Sequence, residues 1–437
     1  MLMSLMRLSS LVTRHSSPQL SNGILSLFMT PDAGRIKRVA SRIACVAVSA
    51  IITLQTGAAR ADESPAAKVQ FTDSEIQTIL SHGPFPTRVP RDPTNRVSGK
   101  WNAVDLGTRL FFDQRLSGSG EIACARCHVP ERNWTDNLRV GAGMVEVDRN
   151  TPTLMNLLAQ RWYGWDGAAD SLWSQSLRPI LDKRELAATP RHVAQLIRND
   201  PDLSCRYRRT FGALPSATDD EAVFVDVGKA LAAFQETLIS GATPFDKFRS
   251  DLARGAPPSS WTYSEAAQRG LKIFIGKGGC TLCHSGPNFT SGEFFSTGLS
   301  KSAPAGKPDP GRLAGVRAVL QSRFNLLGPY NDDKTGASAV HTRQATLEKP
   351  AFGEFKVPTL RNLILTMPYG RDGSVDTIPE VVRHYSELDP VRLHAKDGRP
   401  GKPLNLTQRE QTDLVVFLES LSTFSNPWRP ESHNQCD

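Results

Sequence analysis

Residues 124–128 read Cys-Ala-Arg-Cys-His, and residues 280–284 read Cys-Thr-Leu-Cys-His. Each pentapeptide spaces two thiols two residues apart and puts a histidine directly after the second thiol. Haem c attaches covalently at this pattern, and the histidine then binds the iron from one side. Zinc sites also use cysteine pairs, but they usually take a second ligand pair from tens of residues away. The sequence therefore predicts two covalently bound haem c groups, attached at Cys124, Cys127, His128, Cys280, Cys283 and His284.

A second similarity links the segments that follow the two motifs. Residues 151–172 (TPTLMNLLAQRWYGWDGAADSL) and 357–378 (VPTLRNLILTMPYGRDGSVDTI) align without gaps and share ten of 22 positions. Each copy lies C-terminal to one haem motif, so the chain reads as two related haem domains. The second domain has about 50 additional residues between motif and repeat. Because residues 297–350 are rich in Gly, Pro, Ser and Asp, we expect a long surface loop there.

The N-terminal 61 residues have the layout of a secretory signal peptide. A basic segment, 35–42, precedes the apolar run 43–54, and Ala-Arg-Ala at 59–61 gives the predicted cleavage site after Ala61. Met29 is a possible true start. The apolar run is too short for a stable membrane anchor, so we predict export to the periplasm. In an oxidising compartment Cys205 and Cys436 could pair, which the sequence leaves open.

Composition argues against nucleic acid as a partner. The formal net charge is +8, but residues 1–61 hold seven Lys or Arg against one Asp, so the rest is close to neutral. The apolar pattern predicts helices over 74–81 and 103–112. Thr-x-x-Glu patterns at Thr377 and Thr407 predict capping boxes at two further helix starts. No alternating run argues for a substantial sheet, so we predict an all-α fold.

From about residue 100 to 425 the sequence resembles the bacterial di-haem cytochrome c peroxidases and the related MauG-like enzymes. The motifs that carry the resemblance are LFFDQRLSGSGEIACARCHVP, RNTPTLMN, WDGAADSLWSQSLRPI, FKVPTLRN and PYGRDGSV. The resemblance implies two cytochrome c-like domains whose haems face a shared interface. Residues 62–255 would hold a peroxide-reactive haem, haem one, and residues 256–437 an electron-transfer haem, haem two. The implied partners are hydrogen peroxide and a donor cytochrome c or cupredoxin, or else a protein substrate.

The open side of haem one is the first question that the resemblance raises. In peroxidases of this family a histidine in the loop before the RN-P motif caps the resting haem, and the matching position here is close to Ala142. After His128 the next histidine is His192. Met144 is a possible ligand, but we expect an iron with no second protein ligand. Such an iron can bind peroxide.

Three residues match positions with a role in peroxide chemistry or electron transfer. The resemblance implies that Glu185 moves a proton between the peroxide oxygens, with Gln175 on the same side. Burial would raise the pKa of the Glu185 carboxyl and suit it to this role. Trp165 would lie between the haems as an electron-transfer step, and its counterpart in the second repeat is Arg371. Glu185 could otherwise be a solvated helix-end residue, and Trp165 a core aromatic.

For haem two, the resemblance points to Tyr385 as the second iron ligand. Peroxidases of the family have methionine at this position, and MauG-like proteins have tyrosine. A phenolate favours high oxidation states of iron, whereas a thioether favours Fe(II). His384 and Met367 are the alternatives, and Tyr385 could also be a plain core residue. One departure concerns Gly278, because MauG itself has at this position a tryptophan that draws electrons from a protein substrate.

The family also binds calcium between the haems, through an asparagine side chain and two backbone carbonyls. Asn150, Thr366 and Pro368 match those positions, although all three could be turn residues of the scaffold. Arg371 is a second departure, since the family often has histidine there. Three functions remain open at this point: a peroxidase with a small donor protein, a MauG-like enzyme acting on a partner protein, and a di-haem electron carrier.

Overall fold

The computed structural model describes residues 69–87, 90–158, 160–299, 308–345, 347, 352–388, 402–424 and 436. The predicted signal peptide lies outside these ranges. Residues 66–437 form a single unit of the fold. Within the described ranges, every helix is too short or too polar to cross a membrane.

Helices dominate the part of the chain that the structure describes. They are α1 (Asp73–Leu80), α2 (Trp101–Phe111), α3 (Leu172–Leu181), α4 (Pro190–Asn199), α5 (Pro201–Phe211), α6 (Asp220–Gln235), α7 (Pro244–Ala253), α8 (Glu265–Ile275), α9 (Arg312–Gln321), α10 (Val340–Gln344), α11 (Ile378–Glu387) and α12 (Gln408–Glu419). Two strands, β1 (Phe294–Phe295) and β2 (Phe355–Lys356), pair antiparallel. The mostly helical character predicted from the sequence is confirmed.

The helix starts follow the local sequence. At Thr377 and Thr407 the threonine hydroxyl accepts the N–H of the glutamate three residues on, whose carboxylate accepts the threonine N–H. Both predicted capping boxes are therefore confirmed. The helices expected over 74–81 and 103–112 are present as α1 and α2, with starts and ends shifted by one or two residues.

Two close helix crossings organise the two halves of the molecule. α2 crosses α6 at Gly107, where a Cβ atom would clash with the carbonyl oxygen of Ala230. α8 crosses α12 at Gly270, where a Cβ atom would clash with the carbonyl oxygen of Asp413. Only glycine permits this approach of two backbones. The equivalence of the crossings supports the duplication inferred from the sequence.

The repeated segments also fold alike. Tyr163 forms an antiparallel bridge with Ala169, and Tyr369 forms one with Val375, at the same spacing of 206 residues as in the alignment. The hydroxyl groups of these tyrosines donate to backbone carbonyls six residues earlier, at 3.5 and 2.8 Å. Both copies are therefore the same structural unit.

Each half has its own hydrophobic core, but each core also contains residues from the other half of the sequence. Ile79 of α1 and Phe245 and Phe248 of α7 pack in the second core, with α8 and α12. Phe324 and Leu326, from the second half of the sequence, pack in the first core. The domain boundary at residue 255 stays a prediction. Helix α7 lies before this boundary in the sequence but packs in the second core.

The expectation of a surface loop over 297–350 is wrong for the part that the structure describes. Residues 308–345 contain α9 and α10, and Val316 and Val319 of α9 are buried. Gly315 lies so close to the backbone of Asp166 that a Cβ atom there would clash with its carbonyl oxygen. The polar and glycine-rich composition concealed a short helix with one apolar face, and this face packs on the first half.

Cys205 and Cys436, whose pairing was open, form a disulfide that spans 231 residues of sequence. The bond attaches α5 of the first half to the end of the chain. Cys124, Cys127 and Cys280 of the two haem motifs form no disulfide bond.

Candidate haem sites and the region between them

Both haem motifs fold into a short turn that brings the thiols and the histidine together. The N–H of His128 donates to the carbonyl of Cys124 at 3.0 Å, and the N–H of His284 donates to the carbonyl of Cys280 at 2.8 Å. Free thiols and an imidazole on one turn are the donor set that haem c needs. The residues predicted to attach the two haems are therefore arranged alike in both halves.

The histidine rings are oriented by backbone carbonyls. Nδ1 of His128 bonds the carbonyl of Trp134 at 3.0 Å, and Nδ1 of His284 bonds the carbonyl of Phe289 at 2.9 Å. This hydrogen bond favours one tautomer of each ring and leaves Nε2 available to a metal ion. Burial lowers the pKa of His284 to about 4 and also lowers that of His128, so both rings are neutral, as metal binding requires.

On the first motif, the loop that carries Ala142 lies directly beside the haem cysteines. The carbonyl of Ala142 accepts hydrogen bonds from Nε of Arg126 at 2.8 Å and from Sγ of Cys127 at 3.9 Å. Met144 donates its backbone N–H to the carbonyl of Glu185 at 3.0 Å, and its side chain is 43% exposed. Backbone hydrogen bonds of this loop therefore connect Glu185 to the first haem motif, while the Met144 side chain is exposed.

Glu185 stands in an environment that suits a proton carrier. Burial, with a contribution from Asp182, raises the pKa of its carboxyl group. Burial raises the pKa values of Cys124 and Cys127, and the charge of Glu185 acts in the same direction on both thiols. The alternative of a freely solvated helix-end residue does not fit this burial.

Gln175 lies on the same side of the molecule. Its Oε1 accepts a hydrogen bond from Nη1 of Arg178 at 3.3 Å, and the charge of Arg178 also acts on Glu185. Arg178 therefore connects the two residues that the sequence placed near peroxide. Sequence reasoning missed Arg178, although it lies three residues after Gln175 on α3 and so on the same helix face.

On the second motif, α11 brings Tyr385 to the haem cysteines. Burial raises the pKa of the Tyr385 phenol to about 12, and the nearby thiols of Cys280 and Cys283 act in the same direction. The buried side chains of α11 belong to Ile378, Val382 and Ser386, so Tyr385 lies beside that core stripe and not within it.

The two rival ligands point elsewhere. Nε2 of His384 lies 2.8 Å from the carbonyl of Thr297, so a backbone group occupies its ring nitrogen. The side chain of Met367 is 46% exposed. Of the three candidates, Tyr385 is the one whose pKa the thiols of Cys280 and Cys283 influence, and its phenol also has a hydrogen bond with Thr297.

A chain of hydrogen bonds joins the two repeats at Trp165. Nε1 of Trp165 donates to the carbonyl of Asn150 at 2.8 Å. The backbone N–H of Asn150 donates to the carbonyl of Arg371 at 2.7 Å. Trp165 and its repeat counterpart Arg371 are thus two hydrogen bonds apart across the contact between the halves.

The three predicted calcium ligands come from segments that a single residue holds together. Asn137 donates from Nδ2 to the carbonyls of Leu365 at 3.2 Å and Met367 at 2.9 Å, the residues on either side of Thr366. Asn150 donates from its own Nδ2 to the carbonyl of Leu138 at 2.8 Å, so a cation would bind its Oδ1. An amide oxygen together with backbone carbonyls suits calcium.

The segment mistaken for a loop supplies residues to this same region. Arg312 of α9 lies between two aromatic rings, with its guanidinium carbon 4.0 Å from the ring centre of Trp162 and 4.1 Å from that of Phe294. Asp309 receives two hydrogen bonds from Arg149. One signal for this contact is present in the sequence and was not used, the apolar spacing of Val316 and Val319.

Comparison with known proteins places these features in one family. A family model described as di-haem cytochrome c peroxidase matches residues 101–253. The methylamine utilization protein MauG of Methylorubrum extorquens is 31% identical over 364 residues, which cover 81% of this chain and 87% of that protein. The chain belongs to the di-haem cytochrome c peroxidase family. The predicted family resemblance is confirmed.

Other members of the family agree in sequence and fold. The cytochrome-c peroxidase IdrP1 of Denitromonas iodatirespirans is 31% identical over 357 residues, covering 78% of this chain and 86% of that protein. The crystal structure of a MauG-like protein associated with microbial copper homeostasis is 26% identical, with a TM-score of 0.58, and covers 79% of this chain and 99% of its own. The diheme peroxidase BthA from Burkholderia thailandensis shares the fold at 21% identity, with a TM-score of 0.59, over 76% of this chain and 89% of its own. As a member of this family the chain is a peroxidase-type oxidoreductase, and the family implies two haem c groups.

Proposed function

We propose that the protein is a periplasmic oxidoreductase in which hydrogen peroxide reacts at an open haem one and electrons pass by way of a tyrosine-ligated haem two. The observation that carries the proposal is a difference between the open sides of the two haem motifs. The backbone of Ala142 lies beside Cys127, and alanine offers no ligand to iron. At the second motif, Tyr385 lies beside both thiols.

When bound, the haems would supply the iron at which peroxide is reduced and the second redox centre of the molecule. The protein side chains hold these groups and handle the proton. His128 and His284 would bind iron through Nε2, since their Nδ1 atoms are held by backbone carbonyls. The Glu185 carboxylate would take the proton from one peroxide oxygen and deliver it to the other, which a carboxyl group of raised pKa can do near neutral pH.

Electron transfer between the halves would pass through Trp165. Its indole is held rigidly, because Nε1 donates to the Asn150 carbonyl. Calcium, held by the side chain of Asn150 and the carbonyls of Thr366 and Pro368, would fix the same region. The hydrogen bonds of Asn137 to the neighbouring carbonyls support this assignment.

The principal test is Glu185→Gln, which keeps the shape of the side chain and removes its acid–base function. We expect the rate of reaction with peroxide to fall by roughly 10²–10⁴-fold, with both haems still attached. Glu146→Gln, in the exposed part of the neighbouring loop, is the matched control and should leave the rate unchanged. An unaltered rate in Glu185→Gln would remove this residue from the mechanism.

A MauG-like enzyme that oxidises a residue of a partner protein is the second candidate. Tyr385 favours it, because a phenolate stabilises highly oxidised iron. Gly278 speaks against the electron route known for MauG, since glycine cannot carry an electron as an indole can. Peroxide titration with and without reduced cytochrome c separates the candidates: rapid oxidation of the donor supports the peroxidase, and a long-lived oxidised di-haem protein supports the MauG-like enzyme. A simple electron carrier would instead lack a high-spin signal in the oxidised resting protein.

A further inference from the structure

The guanidinium of Arg371 is buried at the contact between the two repeats without a full set of acceptors. Its side chain is 12% exposed. Its Nε and Nη1 atoms have no hydrogen-bond acceptor among the residues that the structure describes. Leaving a buried donor unpaired costs about 1–3 kcal/mol, and more where the donor is charged. An anion from outside the polypeptide would remove this cost.

The nearest carboxylates do not satisfy Arg371. Both oxygens of Asp309 accept hydrogen bonds from Arg149, at 3.0 and 3.2 Å, whereas the closest approach of Arg371 to Asp309 is 3.5 Å. The closest approach to Asp372 is 4.0 Å. Arg149 and Arg371 also share the ring of Phe355, with guanidinium carbons 5.7 and 4.5 Å from its centre. Arg149 binds both oxygens of Asp309 and also pairs with Asp166 at 2.7 Å, so Arg371 has no carboxylate oxygen closer than 3.5 Å among the described residues.

The position of Arg371 indicates which anion could accept hydrogen bonds from its guanidinium group. Its carbonyl accepts the N–H of Asn150, and the carbonyl of Asn150 accepts the indole N–H of Trp165. In the second repeat it occupies the position that Trp165 has in the first. Under the proposed function the two haems face this contact between repeats, and each haem carries two propionate carboxylates. Arginine forms its strongest hydrogen bonds with carboxylates, through a planar fork of donors.

We propose that Arg371 donates from Nε and Nη1 to a propionate of one of the two haems, and so is a positioning residue that sets the charge between them. The inference rests on the proposed function in one respect, the location of both haems beside this contact. Arginine here departs from the histidine that the family often has. Its charge is permanent at all physiological pH values, whereas that of histidine is lost near neutrality.

The test compares the midpoint potentials of both haems in the holoprotein, measured by spectroelectrochemistry, in three variants. Arg371→Met removes the charge and keeps the length, Arg371→Lys keeps the charge, and Arg161→Met removes an exposed cation from the neighbouring repeat, where the side chain is 54% exposed. We expect Arg371→Met to lower the potential of at least one haem, because loss of a buried positive charge favours the ferric state. Arg371→Lys should restore most of the shift, and Arg161→Met should cause little. Equal shifts in Arg371→Met and Arg161→Met would overturn the proposal.

A crystal structure of the wild-type holoprotein keeps the proposal testable if Arg371→Met does not fold. We expect propionate oxygens within about 3 Å of the Arg371 fork. Chloride or phosphate at the fork, with the propionates elsewhere, would refute the assignment, as would a wild-type potential that changes with chloride at constant ionic strength. These readouts are independent of the peroxide rate, so failure of the Glu185 test would leave the Arg371 test unaffected.

Discussion

The two halves of this protein share one backbone scaffold but differ in the side chains that lie beside the haem motifs. In both, a glycine lets two helices cross at backbone contact, a histidine is oriented by a backbone carbonyl, and a tyrosine of the repeat donates to a carbonyl six residues earlier. The differences lie in side chains that this scaffold presents to the cofactors. The first half has the backbone of Ala142 beside Cys127, and the second has the buried phenol of Tyr385, which under the proposed function would bind the second iron.

The repeat itself shows how such a division of roles arises. Trp165 and Arg371 occupy matching positions, and one is an aromatic suited to electron transfer while the other is a fixed cation. Neither side chain is needed by the repeated fold, because the bridges and tyrosine hydrogen bonds of both copies form without them. The two copies therefore share their backbone bridges and tyrosine hydrogen bonds and differ at the position of Trp165 and Arg371.

The largest effect is expected from making the first half resemble the second at its open side. Ala142→His places an imidazole beside the first haem motif, where it would compete with peroxide for the iron. We expect the rate of the peroxide reaction to fall by at least about 10²-fold, comparable to the loss of an acid–base group. Stopped-flow spectroscopy measures the rate, and the spin state reports the new ligand. Met144→Leu is the control, and a changed spectrum in that variant would instead make Met144 a ligand.

The converse change removes the ligand from the second half. Tyr385→Phe keeps the ring and removes the phenol oxygen, so the absorption and electron paramagnetic resonance spectra of haem two should change while those of haem one do not. His384→Gln and Met367→Leu are matched controls on the same side of the molecule. An unchanged spectrum in Tyr385→Phe, with a change in either control, would transfer the ligand role to that residue.

Much of this comparison was accessible from the sequence because it depends on short local patterns. The haem motifs, the repeat and the capping boxes at Thr377 and Thr407 need only neighbouring residues to be recognised. Contacts between distant segments were not accessible. The composition of residues 297–350 does not show that α9 packs on the first half, since a helix of ten residues with mixed polar and apolar side chains does not reveal its partner. The link of Asn137 to Leu365 and Met367 spans about 230 residues and likewise needed the fold.

Breaking the disulfide tests how firmly the end of the chain is joined to the first half. Cys205→Ser should lower the free energy of unfolding by about 2–4 kcal/mol, because the bond closes a long stretch of chain and restricts the unfolded state. Chemical denaturation under non-reducing conditions measures the change. Cys436→Ser should have the same effect, and the double variant should add nothing further. Additive losses would contradict pairing of these two cysteines.

The helix crossings allow the two halves to be weakened separately. Gly107→Ala and Gly270→Ala each force a methyl group against a backbone carbonyl, which should cost about 1–3 kcal/mol. On heating, Gly107→Ala should lower the temperature at which the absorption band of haem one changes. Gly270→Ala should do the same for the band of haem two. Thermal unfolding followed at separate haem bands makes this visible. Gly212→Ala, at an open helix end, is a weaker control, since the cost there comes only from its positive φ. Identical unfolding at both bands in both variants would show that the halves unfold as one unit.

The smallest predicted effect concerns a matched pair of glutamates at the ends of α6 and α12. Glu236 is buried, and its Oε2 accepts hydrogen bonds from Ser98 at 2.7 Å and from the N–H of Gly99 at 3.2 Å, whereas the equivalent Glu419 is exposed. Burial raises the pKa of Glu236 from 4.5 to about 7. The folded protein therefore holds a proton on Glu236, between these pH values, that the unfolded chain has released.

The neutral carboxyl group of Glu236 stabilises the folded protein relative to the ionised one. This contribution is fully present below pH 4.5 and is lost as the pH rises through about 7, because the folded protein then holds a buried carboxylate. Glu236→Gln, which cannot ionise, should match the wild type near pH 4.5 and exceed its unfolding free energy at pH 8 by up to about 3 kcal/mol. Denaturant titrations at several pH values give this difference directly. Glu419→Gln, at the exposed position, is the matched control. A difference between Glu236→Gln and wild type that stays constant from pH 4.5 to 8 would mean that Glu236 remains ionised in the folded protein, and the contrast between the two helix ends would then be one of packing alone.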